Sequence, residues 1–567
     1  IVFNGEIYNF KELHKELTEK GHTFNTHGDT ETILNAYLEW GVDCVHHLRG
    51  MFAFAIWDRK EQSLFIARDR LGIKPFFYTL LSDGHFAFGS ELKVLTEHTL
   101  FDKSLRDSSV EDYFTFGYIP EPHTIYQNTY KLTPGHRLLL KKGEQQIPAS
   151  QEYWDIPTQV DESLTKDKVN DELAGRLKEA IDIRMVADVP LGSFLSGGVD
   201  SSAVVALMSE LQTEPVNACS IGFDVKEFNE TDFAIEVAKR YKADHRIDIV
   251  DQNDFDLVDQ LAALYDEPYA DSSAMPTFRV CELARKHVTV ALSGDGADEL
   301  FAGYGRYRWH MNEEKIRQVL PLNFRKAVFK PLGKIYPKMD WAPRFLRAKT
   351  TFQSMAMDTV EGYHNSISIL RQDEREKLFS TSYKKSLNGY TSLEVFKRYK
   401  DKVKSLDALK IAQYLDMKTY LVGDILTKVD RASMAHSLEV RVPFLDHKFV
   451  EWGFSIPSAV NLEQGVGKKS LKRAMEPYLP HDVLYRRKMG FSVPLADWFR
   501  GPLKERLYKG LLSEQMTNCG YFDKAQLSKL IDEHVKGVKD NSAPLWTLLM
   551  FESFLRQNIS SSEERGA

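Results

Sequence analysis

The chain reads as two folds in series: an α+β sandwich over residues 1–150, then an α/β domain over residues 172–567, a doubly wound parallel sheet that ends in a helical region. Three observations predict this. Short strand patterns crowd the stretch from Met51 to Glu91, strand and helix patterns alternate from Val189 to Gly305, and 567 residues exceed what one hydrophobic core organises.

The chain opens on IVFNGEIYNF, where the apolar run Ile1 to Phe3 precedes Asn4-Gly5, a dipeptide that readily supplies the positive φ of a tight turn. A helical pattern, NFKELHKELTEKG, stops at Gly21, and a second, DTETILNAYLEWG, runs to Gly41; glycine just past a helix is the expected stop signal. MFAFAIWD, SLFIARD, PFFYT and HFAFGSE follow as strands broken at Asp, Gly and Pro, and TPGHRLLLKKGE reads as one more hairpin. The polar stretch 151–171, with Pro157 inside it and Pro148 just ahead, is the expected linker. Beyond it VPLGSFLSGGVDSSAVVALMSEL, VNACSIGFD, NETDFAIEVAKRYKAD, HRIDIV and HVTVALSGDGADELFAGYG alternate strand, loop and helix. Parallel sheets of this kind bind ligands outside the carboxyl ends of their strands. After Tyr307 the pattern is mostly helical.

Composition excludes several classes. Hydrophobic residues at 43% and charged residues at 27% describe a globular chain, and a net charge of −7 gives no general attraction to nucleic acid or to an acidic membrane surface. The longest apolar run, Met51 to Trp57, is too short to cross a bilayer, so a soluble, cytoplasmic protein is expected. Cys44, Cys219, Cys281 and Cys519 lie far apart without a CxxC pair and read as buried packing residues. Between Lys315 and Lys349 ten Lys/Arg stand against one Asp, interleaved with Phe324, Phe329, Tyr336, Trp341 and Phe345; with nothing else pointing to nucleic acid, this reads as a helical insert with snorkelling basic side chains. GVGKKS at 465–470 mimics a phosphate-binding P-loop, but Lys469 stands where Ser or Thr is required and Leu462 where the first Gly belongs.

Chemistry concentrates in two loops. SGGVDSS, Ser196 to Ser202, follows an apolar strand and opens an apolar helix, a context that makes a nest for phosphate. Asp200 beside an anion makes sense if Mg²⁺ lies between them, since Mg²⁺ is commonly held by one or two carboxylates plus substrate oxygens. SGDGADE supplies Ser293, Gly294, Asp295 and Asp298 after VTVAL. Asp298 would be the second Mg²⁺ ligand, and Asp295 would hold or remove a proton of an incoming amine. Read blandly, both loops are glycine turns with helix-capping residues.

SGGVDS resembles the pyrophosphate loop of enzymes that cleave ATP between its α- and β-phosphates. SGDGADELFAGY with SLEVRVPFLD narrows the resemblance to the synthetase domain of glutamine-dependent asparagine synthetases. NGEIYN, GDTE, RGMFAFAIWD and ARDRLGIKPFFY resemble the class II glutamine amidotransferase domain, an N-terminal-nucleophile sandwich. The resemblance implies ATP contacts at Leu195, Ser196, Gly197, Gly198, Asp200, Ser201, Ile221, Ser293 and Gly294. It implies glutamine contacts at Asn4, Gly5, Glu6 and Asp29, with Asn4 and the Gly5 N–H as oxyanion hole and the two carboxylates receiving the ammonium. Lys488, in RRKMGFS, matches a lysine that steadies phosphate charge, and Asp295 stands where many members carry Glu. The substrates implied are L-aspartate, ATP and L-glutamine or ammonia, with two chains in the assembly. Asp424, Lys428, Asp430 and Arg431 are either site-lining residues or structural ion pairs.

The same resemblance implies a Cys nucleophile, its α-amine and an Arg ahead of NGEIYN, whereas this sequence begins at Ile1. A fragment is therefore expected, with an incomplete, loosely packed sandwich, making asparagine from ammonia rather than glutamine if the half from about Asp171 folds alone. Two rival readings are an amide-forming synthetase of the β-lactam synthetase type acting on another carboxylic acid, and a homologue that binds nucleotide without turnover.

Overall fold

The computed structural model describes residues 1–223, 230–250, 257–336, 349–486 and 493–558. Its N-terminal part holds two antiparallel sheets. Strands β1 (Val2–Ile7), β2 (Gly50–Asp58), β3 (Ser63–Arg68), β7 (His136–Lys141) and β8 (Gln151–Glu152) form one in the order β1-β2-β3-β7-β8, and β4 (Phe77–Leu80), β5 (Phe86–Gly89) and β6 (Thr129–Lys131) form the other in the order β5-β4-β6. Alternation along the strands decides the layers. Ala53, Ala55 and Ile66 face Phe76, Tyr78 and Leu132 between the sheets, while Phe52, Phe54 and Phe65 on the opposite face pack under helices α1 (Phe10–Glu19) and α2 (Asp29–Trp40).

Two local expectations are corrected. Asn4-Gly5 is not a turn but lies inside edge strand β1, opposite Ala53 and Phe52. Gly5 does carry a positive φ of 141°, and a Cβ there would lie 2.0 Å from the Met51 carbonyl oxygen, so glycine serves the close approach of β1 to β2. TPGHRLLLKKGE is not a hairpin either: it supplies the single strand β7, inserted between β3 and β8.

A third sheet, all parallel, follows from β9 (Leu191–Phe194), β10 (Asn217–Phe223), β11 (Asp244–Val250), β12 (Val290–Leu292) and β13 (Glu439–Arg441), ordered β11-β10-β9-β12-β13. The order reverses between β9 and β12, the place where doubly wound sheets open a crevice. β13 comes from SLEVRVPFLD in the otherwise helical C-terminal region, so the sheet draws its last strand from more than a hundred residues downstream of β12.

The two parts share a core. Helix α3 (Asp107–Phe116) is buried from Ser109 to Phe116, and its Phe114 ring lies 5.3 Å from Phe522 and 5.2 Å from Phe551. Tyr113 Oη donates to the Thr547 carbonyl at 2.8 Å. In the stretch between the parts, Trp154 Nε1 donates to Glu451 at 2.7 Å and Asp155 is bound by Lys402, Lys418 and Tyr414 Oη. No helix among the described residues is long and apolar enough to cross a membrane. Cys44, Cys219 and Cys281 are buried as expected, whereas Cys519 is half-buried, and none forms a disulfide. The basic segment is helical over Gly305–Val319 and Leu322–Ile335; Trp341 and Phe345 lie outside the described residues.

Candidate functional site

At the carboxyl edge of the parallel sheet two loops touch. The first leaves β9 and enters helix α4 (Val199–Leu211), whose first turn carries Asp200. Ser196 N donates to Ser201 Oγ at 3.0 Å, which folds the loop over a helix N-terminus whose leading N–H groups have no intrahelical acceptor. The second loop follows β12. A Cβ on Gly294 would stand 2.8 Å from Ser201 N and 2.9 Å from Asp200 Cβ, so the loops can meet because this residue is glycine.

This meeting brings Asp200 and Asp298 to one point, and a cation is already there. Lys468 Nζ lies 2.5 Å from Asp200 Oδ2 and 2.8 Å from Asp298 Oδ1, with the lysine buried. Burial by itself would lower the Lys468 pKa, but the Asp200 and Asp298 carboxylates hold it well above its ordinary value. A pair of carboxylates converging on one point could hold Mg²⁺ jointly with phosphate oxygens, with the Lys468 ammonium beside it. Among the described residues no group of three or more His, Cys, Asp or Glu is placed to hold a metal ion.

The other predicted nucleotide contacts gather around these loops. Leu195 is buried one residue past β9, and Ile221 lies half-buried on the neighbouring strand β10. Ser196, Gly197, Gly198 and Ser201 belong to the first loop and its helix, while Ser293 and Gly294 open the second. Ser293 Oγ donates to Asp295 Oδ2 at 2.5 Å. Lys428 of helix α8 (Thr427–Met434) lies with its ammonium 2.9 Å from Asp271 Oδ2 and 2.9 Å from Ser273 Oγ. Burial would lower the Lys428 pKa; Asp271 first, then Asp424 and Asp295, hold it raised. Lys488 lies outside the described residues.

In the sandwich, Asn4, Gly5 and Glu6 share β1, and Asp29 begins α2. Ile7 N donates to Asp29 Oδ2 at 3.0 Å, tying strand to helix, and Asn4 Nδ2 donates to Ser90 Oγ at 3.2 Å. Burial pushes the Glu6 carboxyl up to about 7, Glu439 adds to the rise, and Arg441 opposes it. Burial also raises the Asp29 pKa. Arg441 Nη2 lies 3.6 Å from Glu6 Oε2, so a residue of β13 faces strand β1 of the sandwich from the other part of the chain.

The structure also sorts the ambiguous group in GDILTKVDRASMAHS. Asp424 accepts from Tyr269 Oη and Lys428 pairs with Asp271 at 2.9 Å, whereas Asp430 pairs with Lys74 at 3.5 Å and Arg431 with Glu91 at 3.5 Å and the Ser90 carbonyl at 2.9 Å, across the two parts. Sequence reasoning missed Lys468, Asp271 and Arg441. The signal for Lys468 was GVGKKS, set aside as a failed P-loop.

The fold is an antiparallel amidotransferase-type sandwich joined to a parallel sheet with two glycine loops at its carboxyl edge. Asparagine synthase matches residues 172–556, and Glutamine amidotransferase domain matches residues 1–154. The chain belongs to the glutamine-hydrolysing asparagine synthetase family. It is 33% identical to asparagine synthetase [glutamine-hydrolyzing] 1 of Bacillus subtilis (strain 168), over 99% of this chain and 85% of that protein. It is 31% identical to asparagine synthetase [glutamine-hydrolyzing] 3 of the same strain over 86% of this chain and 74% of that protein, and 28% identical to amidase chry2 of Gibberella zeae over 92% and 81%.

Proposed function

We propose that the chain amidates L-aspartate to L-asparagine with ATP. The β-carboxylate attacks the α-phosphorus, the bond to pyrophosphate breaks, and β-aspartyl-AMP forms. Ammonia, supplied as such or from glutamine with glutamate as by-product, then adds to the acyl carbon and AMP leaves. The convergence of Asp200, Asp298 and Lys468 where the two glycine loops touch carries this reading, because those groups suit the phosphates of a nucleotide at a helix N-terminus. Asp200 and Asp298 would hold Mg²⁺, which would neutralise charge on pyrophosphate. Lys468 adds a fixed positive charge, and Asp295, oriented by Ser293 Oγ, takes the proton of the attacking amine. Asn4, Gly5, Glu6 and Asp29 form the glutamine-facing group.

Pyrophosphate release with ATP, Mg²⁺ and aspartate tests the reading. Asp200→Asn should lower it by about 10²-fold or more, since a charged ligand becomes a neutral one. Asp295→Asn should leave pyrophosphate release near the parental rate and slow amide formation by about 10²-fold or more. Release at the parental rate in Asp200→Asn removes the metal assignment. A second reading keeps the ATP chemistry and changes the acceptor, favoured by a relative whose name is amidase. Release with another carboxylic acid and none with aspartate would select it.

A further inference from the structure

The chain leaves β9 at Leu195, one residue ahead of the first glycine loop, and β10 holds both backbone groups of that residue. The Leu195 N–H donates to the Cys219 carbonyl at 2.9 Å, which carries the β9–β10 pairing one step past Phe194. A parallel ladder would next join the Ile221 N–H to the Leu195 carbonyl. Among the described residues it is the Ser220 hydroxyl that donates to this carbonyl. A side chain thus takes the place of the next ladder bond, and the chain turns out of the sheet into Ser196.

Ser220 Oγ has a second partner. His245 Nε2, from edge strand β11, lies 2.6 Å away. A serine hydroxyl carries one hydrogen and a carbonyl oxygen only accepts, so that hydrogen goes to Leu195 and the hydroxyl oxygen accepts from His245. These partners assign a hydrogen to His245 Nε2. Ser220 is buried, where a hydroxyl that receives a hydrogen bond is polarised and donates more strongly. Three adjacent strands are therefore crossed by one chain of bonds, from His245 through Ser220 to Leu195. The peptide after Leu195 carries its effect onward. The Leu195 carbonyl and the Ser196 N–H belong to one planar unit and point in opposite directions, so a carbonyl aimed at β10 aims the N–H the other way. There the Ser196 N–H donates to Ser201 Oγ at 3.0 Å, in the first turn of α4.

We propose that His245 is a positioning residue for nucleotide binding: through Ser220 it fixes the Leu195 carbonyl and so sets the direction in which the phosphate-facing loop, residues 196–198, leaves the sheet. The proposal rests on the reading of that loop as the ATP site and adds two residues outside both glycine motifs. His245 touches no group of either loop directly, so its effect on the nucleotide passes through Ser220 alone. If the bond served only to satisfy a buried hydroxyl, its loss would lower stability and leave the affinity for ATP as it was.

Pyrophosphate release by the whole chain, with ATP and aspartate varied in turn, provides the test. His245→Leu removes the donor and should raise KM for ATP about 5-fold, the scale of one hydrogen bond, while kcat and KM for aspartate stay within about 2-fold. His245→Gln supplies an amide N–H in place of Nε2–H and should bring KM for ATP back to within about 2-fold of the parent. Ser220→Ala should raise KM for ATP about 10-fold, and His245→Leu added to it should change that by less than about 2-fold, because the histidine then has nothing to act through. A parental KM for ATP in His245→Leu, equal losses in the Leu and Gln variants, or losses that multiply in the double variant would each overturn the proposal. If the parental protein releases no pyrophosphate, the amidation reading fails instead. Calorimetric titration with α,β-methylene-ATP, which cannot be cleaved at that bond, then still decides: binding that weakens in His245→Leu and recovers in His245→Gln supports the positioning role, and unchanged binding, or none in the parent, rejects it.

Discussion

Lys468 and Lys469 are neighbours in GVGKKS, yet they live in different environments. Lys468 is buried between Asp200 and Asp298, whereas Lys469 sets its ammonium over the Tyr485 ring at 4.8 Å. Replacing Lys468 leaves two carboxylates facing each other without their cation and removes a charge from the phosphate site. Lys468→Met should therefore cut pyrophosphate release by about 10²-fold or more, while Lys469→Met should stay within about 3-fold of the parent. Steady-state pyrophosphate release on the two variants checks this, and equal losses would mean that position 468 matters only for local folding. The same contrast shows why the residue escaped the sequence reading. A P-loop needs its lysine beside its own glycines, but here the glycines are at 197, 198 and 294 and the lysine arrives from the residue just ahead of a distant helix, Lys469–Ala474. Spacing rules find groups that one loop carries, and Lys468 belongs to no loop of the pair.

At the scale of elements, the segment read as a linker is tied down by a buried charge. Burial would raise the Asp155 carboxyl, but Lys418, with Lys402 and Tyr414, lowers it from 3.8 to about 2. Because the folded value is depressed, the stabilisation is fully present above the unfolded value of 3.8 and is lost as pH falls through about 2. Asp155→Asn should destabilise the protein by about 2 kcal/mol near neutral pH, since Lys418 is left buried and unpaired, and the gap between variant and parent should narrow as pH falls below about 4. Denaturant melts across that pH range measure it, and a constant gap would assign the loss to packing. Strand β13, inside a stretch that reads as mostly helical, shows a limit of local reading. Glu439 to Arg441 is too short to announce itself as a strand, and pairing with β12 gives it that role.

The whole molecule is less divisible than its two sequence patterns suggest. Helix α3, from the N-terminal part, fills a pocket of Phe379, Phe522 and Phe551 in the helical region. Phe114 alone, truncated to alanine, would cost about 3–5 kcal/mol. A chain limited to residues 172–567 should therefore expose that pocket, melt well below the whole protein and scatter light as it aggregates. Thermal unfolding with light scattering is the measurement, and a cooperative melt at the parental temperature would show that α3 is dispensable. Arg441 beside Glu6 and Arg431 beside Glu91 tie the halves at two further places, so the sandwich site and the sheet site share structural supports.

What the sequence determined by itself was local: alternating strands, helices stopped by glycine, and two loops whose glycines, serines and aspartates lie close enough along the chain to be read as one motif each. These follow from backbone preference and side-chain period, which act over a few residues. Tertiary structure alone decided that Gly294 lets the loops touch, that Lys468 is their cation, that Asp424 lines a cavity while Asp430 spans the two parts, and that Asn4-Gly5 is strand rather than turn. Each of these depends on which surfaces pack together across hundreds of residues. Packing is settled by the whole chain's burial of apolar surface, and no window of sequence contains it.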